Sequence, residues 1–198
     1  VQSLNDVLKL SAGVDVRQRG GFGIQTDISI DGGTHDQITI LLNGVPLVNP
    51  QTGHNAADFP VNIADIERIE ILEGAASRVM GSQAFSGAIN VVTRNNHTPT
   101  HLEALLEGGS YGTVKGEART AWQWAKHWSG SASGSYQRSD GAVQNSAFKG
   151  GKGYGQLSYD APDFRFDLQA GATANDFGAN TFYSAAYPNQ WEATRRYL

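Results

Sequence analysis

Residues 113–124 alternate strictly between a face that holds every charged side chain of the run and a face that holds none. Lys115, Glu117 and Arg119 lie at odd positions, whereas the even positions carry only small, aliphatic, hydroxyl or indole groups. A period of two residues predicts a β-strand whose two faces meet different surroundings. The second half of the chain is therefore predicted to form a series of antiparallel strands, because the alternation recurs over residues 128–137, 151–159 and 164–175.

The length of these runs favours a membrane-spanning β-barrel over a soluble β-domain, which is the alternative. Soluble strands average about 5–6 residues, whereas these extend for roughly 9–12, enough to cross a bilayer at a tilt. Their apolar face is mostly Gly, Ala and Leu, with aromatic residues near the ends, as in outer-membrane strands. Short connections at 125–127 and 160–163 alternate with long ones at 139–150 and 176–190. Because a few strands leave an open edge that lipid cannot satisfy, we expect an incomplete barrel.

Composition excludes several other classes of protein. The 198 residues carry 15 basic and 19 acidic side chains, a net charge of −4, so a nucleic-acid partner is not expected. The absence of cysteine excludes a disulfide scaffold, a Cys-ligated zinc site and thiol catalysis. No apolar run approaches the roughly 18 residues of a membrane helix. The chain starts at Val1 without a signal segment, so we expect a mature or internal fragment.

The first half has a different pattern and is predicted to be an α+β domain. Ser3 is placed to cap a short helix over residues 4–10, and short alternating runs such as residues 24–30 and 38–42 predict strands. Only three aromatic residues precede Pro99, whereas all four Trp, all seven Tyr and five of the eight Phe follow it. We therefore predict a domain over residues 1–96 and the barrel strands over residues 97–198.

A motif in the first half connects both parts to a known family. The run IERIEILEG at residues 66–74 leads into AASRVMG at 75–81 and GAINVVT at 87–93. This pattern strongly resembles the plug domain of TonB-dependent outer-membrane receptors, and the likeness covers residues 4–94. Ala75 stands where the family usually has proline. The residues that carry the signature are Arg68, Glu70, Glu73, Gly74, Arg78, Gly81, Gly87 and Asn90.

The resemblance implies a plug folded inside a 22-stranded barrel of a Gram-negative outer membrane, of which this chain holds the first five to six strands. Such receptors are not enzymes and are expected to need no cofactor. They contact outer-membrane lipid and import scarce ligands such as ferric siderophores or cobalamin with energy supplied through TonB. TonB grips a short N-terminal Ton box, and residues 1–3 contain no clear one, so that segment is expected to be missing here. Plug arginines such as Arg68 are expected to pair weakly with carboxylates of the barrel wall.

Two polar or aromatic loops are the predicted ligand sites. Residues 45–60 form a long irregular stretch, and the resemblance places it at the outward apex of the plug; binding residues concentrate in such loops. The predicted contacts there are Asn49, Gln51, Thr52, His54 and Asn55. A second outward loop offers Tyr183 and Tyr187, which could stack on a flat ligand or lie in an aromatic girdle.

Two other functional classes remain as alternatives. A non-enzymatic surface adhesin would explain the β-strands, but it gives no reason for the plug-like motif. An esterase would use Ser110 in Gly108–Gly112, which matches G-x-S-x-G, yet that motif requires a strand that turns into a helix. The residues after Gly112 alternate as a strand, so a tight hairpin is predicted instead. The five His residues show no metalloprotease spacing, and no metal site is expected.

Overall fold

The computed structural model describes residues 3–18, 20, 26–47, 59–74, 85–94, 100–180, 182 and 186–198. The chain forms two compact units. The first comprises Val1–Asp58 and Ile66–Arg94, and the second comprises Phe59–Asp65 and Asn95–Leu198. Seven residues in the middle of the first unit's sequence therefore pack with the second unit. The predicted domain limits at 96 and 97 stay a prediction.

The first unit contains one short helix and two sheets. A two-stranded antiparallel hairpin joins β1 to β2, and a four-stranded sheet has the order β4-β3-β6-β5. Within that sheet β3 and β6 are parallel, whereas the other two pairs are antiparallel. The element bounds are α1 Leu4–Leu8, β1 Val14–Gln18, β2 Thr26–Ile30, β3 Ile38–Leu42, β4 Val45–Pro46, β5 Ile66–Glu73 and β6 Gly87–Thr93.

Local sequence explains these elements. The hydroxyl of Ser3 accepts a hydrogen bond from the backbone N–H of Asp6, whose carboxylate accepts from the Ser3 N–H, a reciprocal capping box that starts α1. All five residues of β3 are buried, as expected for the uninterrupted apolar run at 38–42. The strand β2 buries alternate residues, as its sequence pattern predicts. One short helix together with two sheets confirms the predicted α+β domain. No helix in the described ranges is both long and apolar enough to cross a membrane.

The second unit is a six-stranded antiparallel sheet in which each strand pairs with its neighbour in sequence. The strands are 7 to 15 residues long, and the predicted period-two runs lie within them except for Trp124, which follows the end of its strand. The first and last strands of this sheet were not predicted from alternation. The bounds are β7 His101–Gly109, β8 Thr113–Gln123, β9 Trp128–Ser139, β10 Phe148–Ala161, β11 Phe164–Gly178 and β12 Trp191–Tyr197.

The two faces of this sheet have the opposite exposure to those of a water-soluble protein. Large apolar side chains on one face are exposed, with Leu102 at 73% and Leu106 at 85%. Charged side chains on the other face are buried, with Lys115 at 8% and Arg119 at 3%. We call these the apolar face and the polar face. The apolar face also exposes Val114, Tyr136, Phe164, Phe166 and Leu168.

From β8 onward, the connections at the two ends of the sheet differ in length. Residues 124–127 and 162–163 form the short connections at one end, and residues 140–147 and 179–190 form longer loops at the other. The long loops are shorter than the sequence predicted, because β9, β10 and β11 extend beyond the alternating runs. A tight turn at 110–112 joins β7 to β8, with positive φ at Tyr111 and Gly112. Ser110 therefore lies in the predicted hairpin, and a strand follows it.

Candidate functional site

The loop predicted to bind ligand is framed by described residues on both sides. Asn49, Gln51, Thr52, His54 and Asn55 lie outside the described residues, as does Tyr183, so these sites stay predictions. Tyr187 is described and is exposed at the long-loop end of the sheet.

An Asn-Gly turn directs the chain into this loop. Asn43 and Gly44 both have positive φ, 50° and 82°, the conformation required by a two-residue hairpin between β3 and β4. The side chain of Asn43 bonds Thr93 on β6: its amide nitrogen donates to the Thr93 hydroxyl at 2.9 Å, and its oxygen accepts from the Thr93 N–H at 2.9 Å. The loop's entry is therefore fixed to the centre of the first unit's sheet.

The signature residues form a polar network on the four-stranded sheet. Asn90 accepts a hydrogen bond from the backbone N–H of Gly44 at 2.9 Å and donates to Glu70 at 2.9 Å. Glu70 also accepts from Arg68 at 2.8 Å, and Arg68 bonds Glu67 at 2.9 Å. The described signature side chains thus hold the Asn-Gly turn to β5 and β6. They are a scaffold for the loop.

The electrostatics of this network follow from its hydrogen bonds. Bonds from Asn90 and Arg68 hold the pKa of Glu70 below its ordinary value, and the bond to Glu70 raises the pKa of Arg68. Both side chains face solvent, so the ion pair between them contributes little to stability. The network sets geometry more than it adds free energy.

The signature glycines are required by close approach and by backbone conformation. A Cβ on Gly87 would lie 2.5 Å from the carbonyl oxygen of Leu72 and 2.8 Å from Ile30. Gly74 has open space around it but a φ of 81°, which disfavours any other residue. Arg78 and Gly81 lie outside the described residues.

The exit from the loop is fixed by a buried segment that we call the strap, Phe59–Asp65. Phe59 and Val61 are buried, and so are the polar side chains of Asn62 and Asp65. Residues Ile63–Asp65 form a 3-10 turn that two hydrogen bonds to Asn62 stabilise. The Asp65 carboxylate accepts a bond from the Asn62 N–H at 3.0 Å, and the Asp65 N–H donates to the Asn62 carbonyl oxygen at 3.0 Å.

The strap bonds the polar face of the second unit. Asp65 forms an ion pair with Arg119 of β8 at 3.2 Å, and the two side chains are 1% and 2% exposed. Ser133 of β9 donates to the other carboxylate oxygen of Asp65 at 2.5 Å. Asn62 donates to Ser133 at 2.8 Å and accepts from Ser135 at 2.6 Å. Nearly every polar group of this turn therefore has a partner on β8 or β9.

The polar face continues this network with further charges. The backbone N–H of Ala64 donates to Glu117 at 3.1 Å, and Glu117 lies 3.7 Å from Lys115. Lys115 is also 3.8 Å from Glu107 on β7. The strap therefore sits on an ordered row of charges rather than on an apolar surface.

A small residue on β11 gives the strap room. A Cβ on Gly171 would come within 3.0 Å of Pro60, so glycine is the residue that fits the strap's approach at this point.

Burial dominates the titration of Asp65. Desolvation raises the pKa of Asp65 above its ordinary value, although bonds from Ser133 and the Asn62 N–H and the charge of Arg119 oppose the rise. A buried carboxyl of this kind takes up a proton more readily than one in water.

Sequence reasoning missed the strap and Arg119. The expected pairing of plug arginines with wall carboxylates stays a prediction; within the first unit, Arg17 pairs with Asp15, and Arg68 pairs with Glu67 and Glu70. The usable signal was the Asn62–Asp65 spacing, which is typical of an Asx-capped turn, beside a polar face with a basic residue at its centre. In the described part of the chain no cluster of three or more His, Cys, Asp or Glu residues is suited to a metal ion.

Comparison with known proteins gives both units a context. Residues 1–88 match the model of the TonB-dependent receptor plug domain. The fold resembles the pyoverdine outer membrane receptor FpvA from Pseudomonas aeruginosa PAO1, with a TM-score of 0.74 and 20% identity over 88% of this chain and 25% of that one. A ferric enterobactin receptor mutant from P. aeruginosa gives 0.72 and 17% identity over 99% and 34%. The copper transporter OprC gives 0.72 and 19% identity over 91% and 29%.

The chain thus spans about a quarter to a third of the length of the solved proteins that it matches. At these identities the matches establish the fold. Residues 1–88, which match the plug-domain model, and the antiparallel strands of the second unit each have a fold found in those solved structures.

Proposed function

We propose that the protein is an outer-membrane receptor of a Gram-negative bacterium that binds a scarce extracellular ligand and imports it by TonB-coupled active transport, because residues 1–88 match the TonB-dependent receptor plug domain. The plug gates the barrel, and the barrel contacts outer-membrane lipid. The protein acts as a transporter and not as an enzyme.

The observation that carries this proposal is the inverted sheet that follows the plug. A six-stranded sheet with exposed leucines on one face and buried Lys115 and Arg119 on the other suits a wall between hydrocarbon and a wet lumen. A soluble adhesin would bury Leu102 and Leu106 and expose its charges. The strap supports the gating role, because it places polar contacts of the plug sequence on that wall.

The ligand class is proposed from the same fold. The similar structures are receptors for pyoverdine and ferric enterobactin and a copper transporter, so a metal chelate is the first class to test. Cobalamin is the second. Asn49, Gln51, Thr52, His54 and Asn55 are the proposed contacts, and the described residues on each side hold their loop at both ends. Tyr183 and Tyr187 are the second proposed contact group.

Uptake in whole cells tests the proposal. A strain that lacks the full-length gene is complemented with the wild type, with N49A/Q51A/H54A, or with K126A/D163A on the short connections as the control. Accumulation of labelled ferric siderophores, a copper chelate and cobalamin is then compared with and without functional TonB. We expect one ligand to depend on the gene and on TonB, with uptake at least tenfold lower in the triple variant and unchanged in the control.

Two results would contradict the proposal. Gene deletion that leaves accumulation of every ligand unchanged would remove the transport function. Uptake that depends on the gene but persists fully without TonB would remove the coupling. Equal uptake by the triple variant and the control would remove only the loop residues as ligand contacts.

A further inference from the structure

The apolar face carries charge only near the end of the sheet that has the long loops. Along β7–β12, all of which the structure describes, the outward positions hold a charged residue four times. Three are basic and one is acidic: Arg138, Lys149, Arg195 and Asp176. All four lie at the end of the sheet that carries the long loops. We call the three basic residues the headgroup row.

The pairing register places two of these cations directly opposite each other. Arg138 on β9 is the register partner of Lys149 on β10, and their side chains are 54% and 60% exposed. Like charges directly opposite on one face destabilise a sheet. Lys149 is in turn the partner of Asp176 on β11, and Arg195 on β12 reaches the same carboxylate. An anion between Arg138 and Lys149 would relieve the repulsion.

The acidic residues nearby only partly neutralise the row. Asp176 lies 2.8 Å from Arg195 but 3.7 Å from Lys149, and Asp140 lies 3.5 Å from Arg138. Two carboxylates therefore serve three cations, and the excess positive charge lies at the Arg138–Lys149 pair. A guanidinium and an ammonium side by side suit a phosphate, which accepts several charge-assisted hydrogen bonds.

The height of the row fits a lipid headgroup. From Trp128 to Arg138 along β9 is 138 − 128 = 10 residues, which is about 34 Å of strand at ~3.4 Å per residue. A tilt of about 40° reduces this to about 26 Å along the membrane normal, close to the apolar band of an outer-membrane barrel. Tyr136 and Gly151 lie on the apolar face one register pair below Arg138 and Lys149, at the level of Arg195.

We propose that the headgroup row binds the phosphate of an anionic membrane lipid whose acyl chains cover the apolar face beneath it. This inference rests on the proposed function, because it requires the apolar face to meet a bilayer. The occupant is a lipid rather than free phosphate, since the cations and the apolar band are continuous on one face. Charge complementarity and the amphipathic arrangement together select that occupant.

The test uses the full-length protein in detergent and measures retention of diphosphoryl lipid A by native mass spectrometry. Dephosphorylated lipid A, which has the same acyl chains, and inorganic phosphate are the comparison probes. We expect the wild type to retain diphosphoryl lipid A at least fivefold better than either probe. R138Q/K149Q should lose that preference, whereas K126Q/R165Q, which removes the same charge at the other end of the sheet, should keep it.

A second pair of measurements keeps the outcome decisive if the glutamine variant folds poorly. The exchanged variant R138K/K149R keeps both charges and should retain the lipid. Without lipid, R138Q/K149Q should melt no lower than the wild type, because it removes repulsion. Equal retention of diphosphoryl lipid A by the wild type and R138Q/K149Q would overturn lipid binding by the headgroup row. Retention of inorganic phosphate by the wild type as strong as that of diphosphoryl lipid A would overturn it as well. A protein that fails to enter bilayers at all would instead overturn the proposed function.

Discussion

At the level of single residues, the Asp65–Arg119 ion pair holds the strap to β8. Both side chains are almost fully buried, and Ser133 and the Asn62 N–H occupy further acceptor sites of the carboxylate. Removing one partner of a buried pair leaves the other without compensation, whereas an exposed pair contributes little. Arg165 and Asp167 form such a partly exposed pair at 2.8 Å, with Arg165 60% exposed.

Arg119→Met is therefore expected to loosen the strap. The free energy of local opening should fall by about 3 kcal/mol, which corresponds to about hundredfold faster exchange of the Ala64 and Asp65 amide hydrogens. Arg165→Met is the matched control and should change exchange by less than about 1 kcal/mol. The two variants are compared by hydrogen exchange in the full-length protein. Equal protection of the strap in both would show that the buried pair does not hold it.

The pH dependence of stability has a sign fixed by the raised pKa of Asp65. The folded state binds this proton more tightly than the unfolded chain, so the contribution of Asp65 is present below the ordinary Asp pKa and is lost as pH rises through the raised value. Asp65→Asn, which stays neutral, should gain thermal stability relative to the wild type as pH rises from the ordinary Asp pKa of about 3.9 through the raised pKa of Asp65. If the wild type instead gains stability relative to the D65N variant over this range, the charge of Arg119 outweighs desolvation.

At the scale of the element, the strands were accessible from sequence and the strap was not. The apolar run at 38–42 and the alternation from Thr113 onward fix strands whatever their partners are, because burial on one or both faces decides them. The strap has no period, and its position depends on Arg119 and Ser133, which are 54 and 68 residues away in sequence. No local pattern encodes such a pairing. The strand β12 is the sixth of the expected five to six strands, although alternation gave no bounds for it.

Gly87 tests how tightly β5 and β6 pack. An alanine there would place its Cβ 2.5 Å from the Leu72 carbonyl oxygen, so Gly87→Ala is expected to lower the free energy of unfolding by about 1–3 kcal/mol. Gly153→Ala on β10 meets nothing within 4 Å and serves as the control, with an expected change within about 0.5 kcal/mol. Thermal midpoints of the full-length variants measure both. A Gly87 variant as stable as the Gly153 variant would mean that the strands move apart at no cost.

For the molecule as a whole, transport across a membrane requires hydrocarbon at the apolar face of the six-stranded sheet and water at its polar face. Sequence alone assigned the two faces correctly, because alternation separates them before any partner is known. It could not supply the level of the headgroup row, since Arg138 and Lys149 become neighbours only through the register of β9 and β10. The predicted ligand contacts around His54 are likewise a matter of long-range placement and stay predictions.

Spin labels in the complete, reconstituted protein test that claim most directly. Labels at Val114, Ala118 and Ala170 on the apolar face should collide more often with oxygen than with a water-soluble nickel chelate, as expected in hydrocarbon. Labels at Gln156 and Gln169, which lie on the polar face of β10 and β11, should show the reverse. We predict oxygen-rich surroundings at Val114, Ala118 and Ala170 and not at Gln156 or Gln169. An aqueous or tightly packed environment at Val114, Ala118 and Ala170 would contradict the proposal that the protein is a membrane transporter.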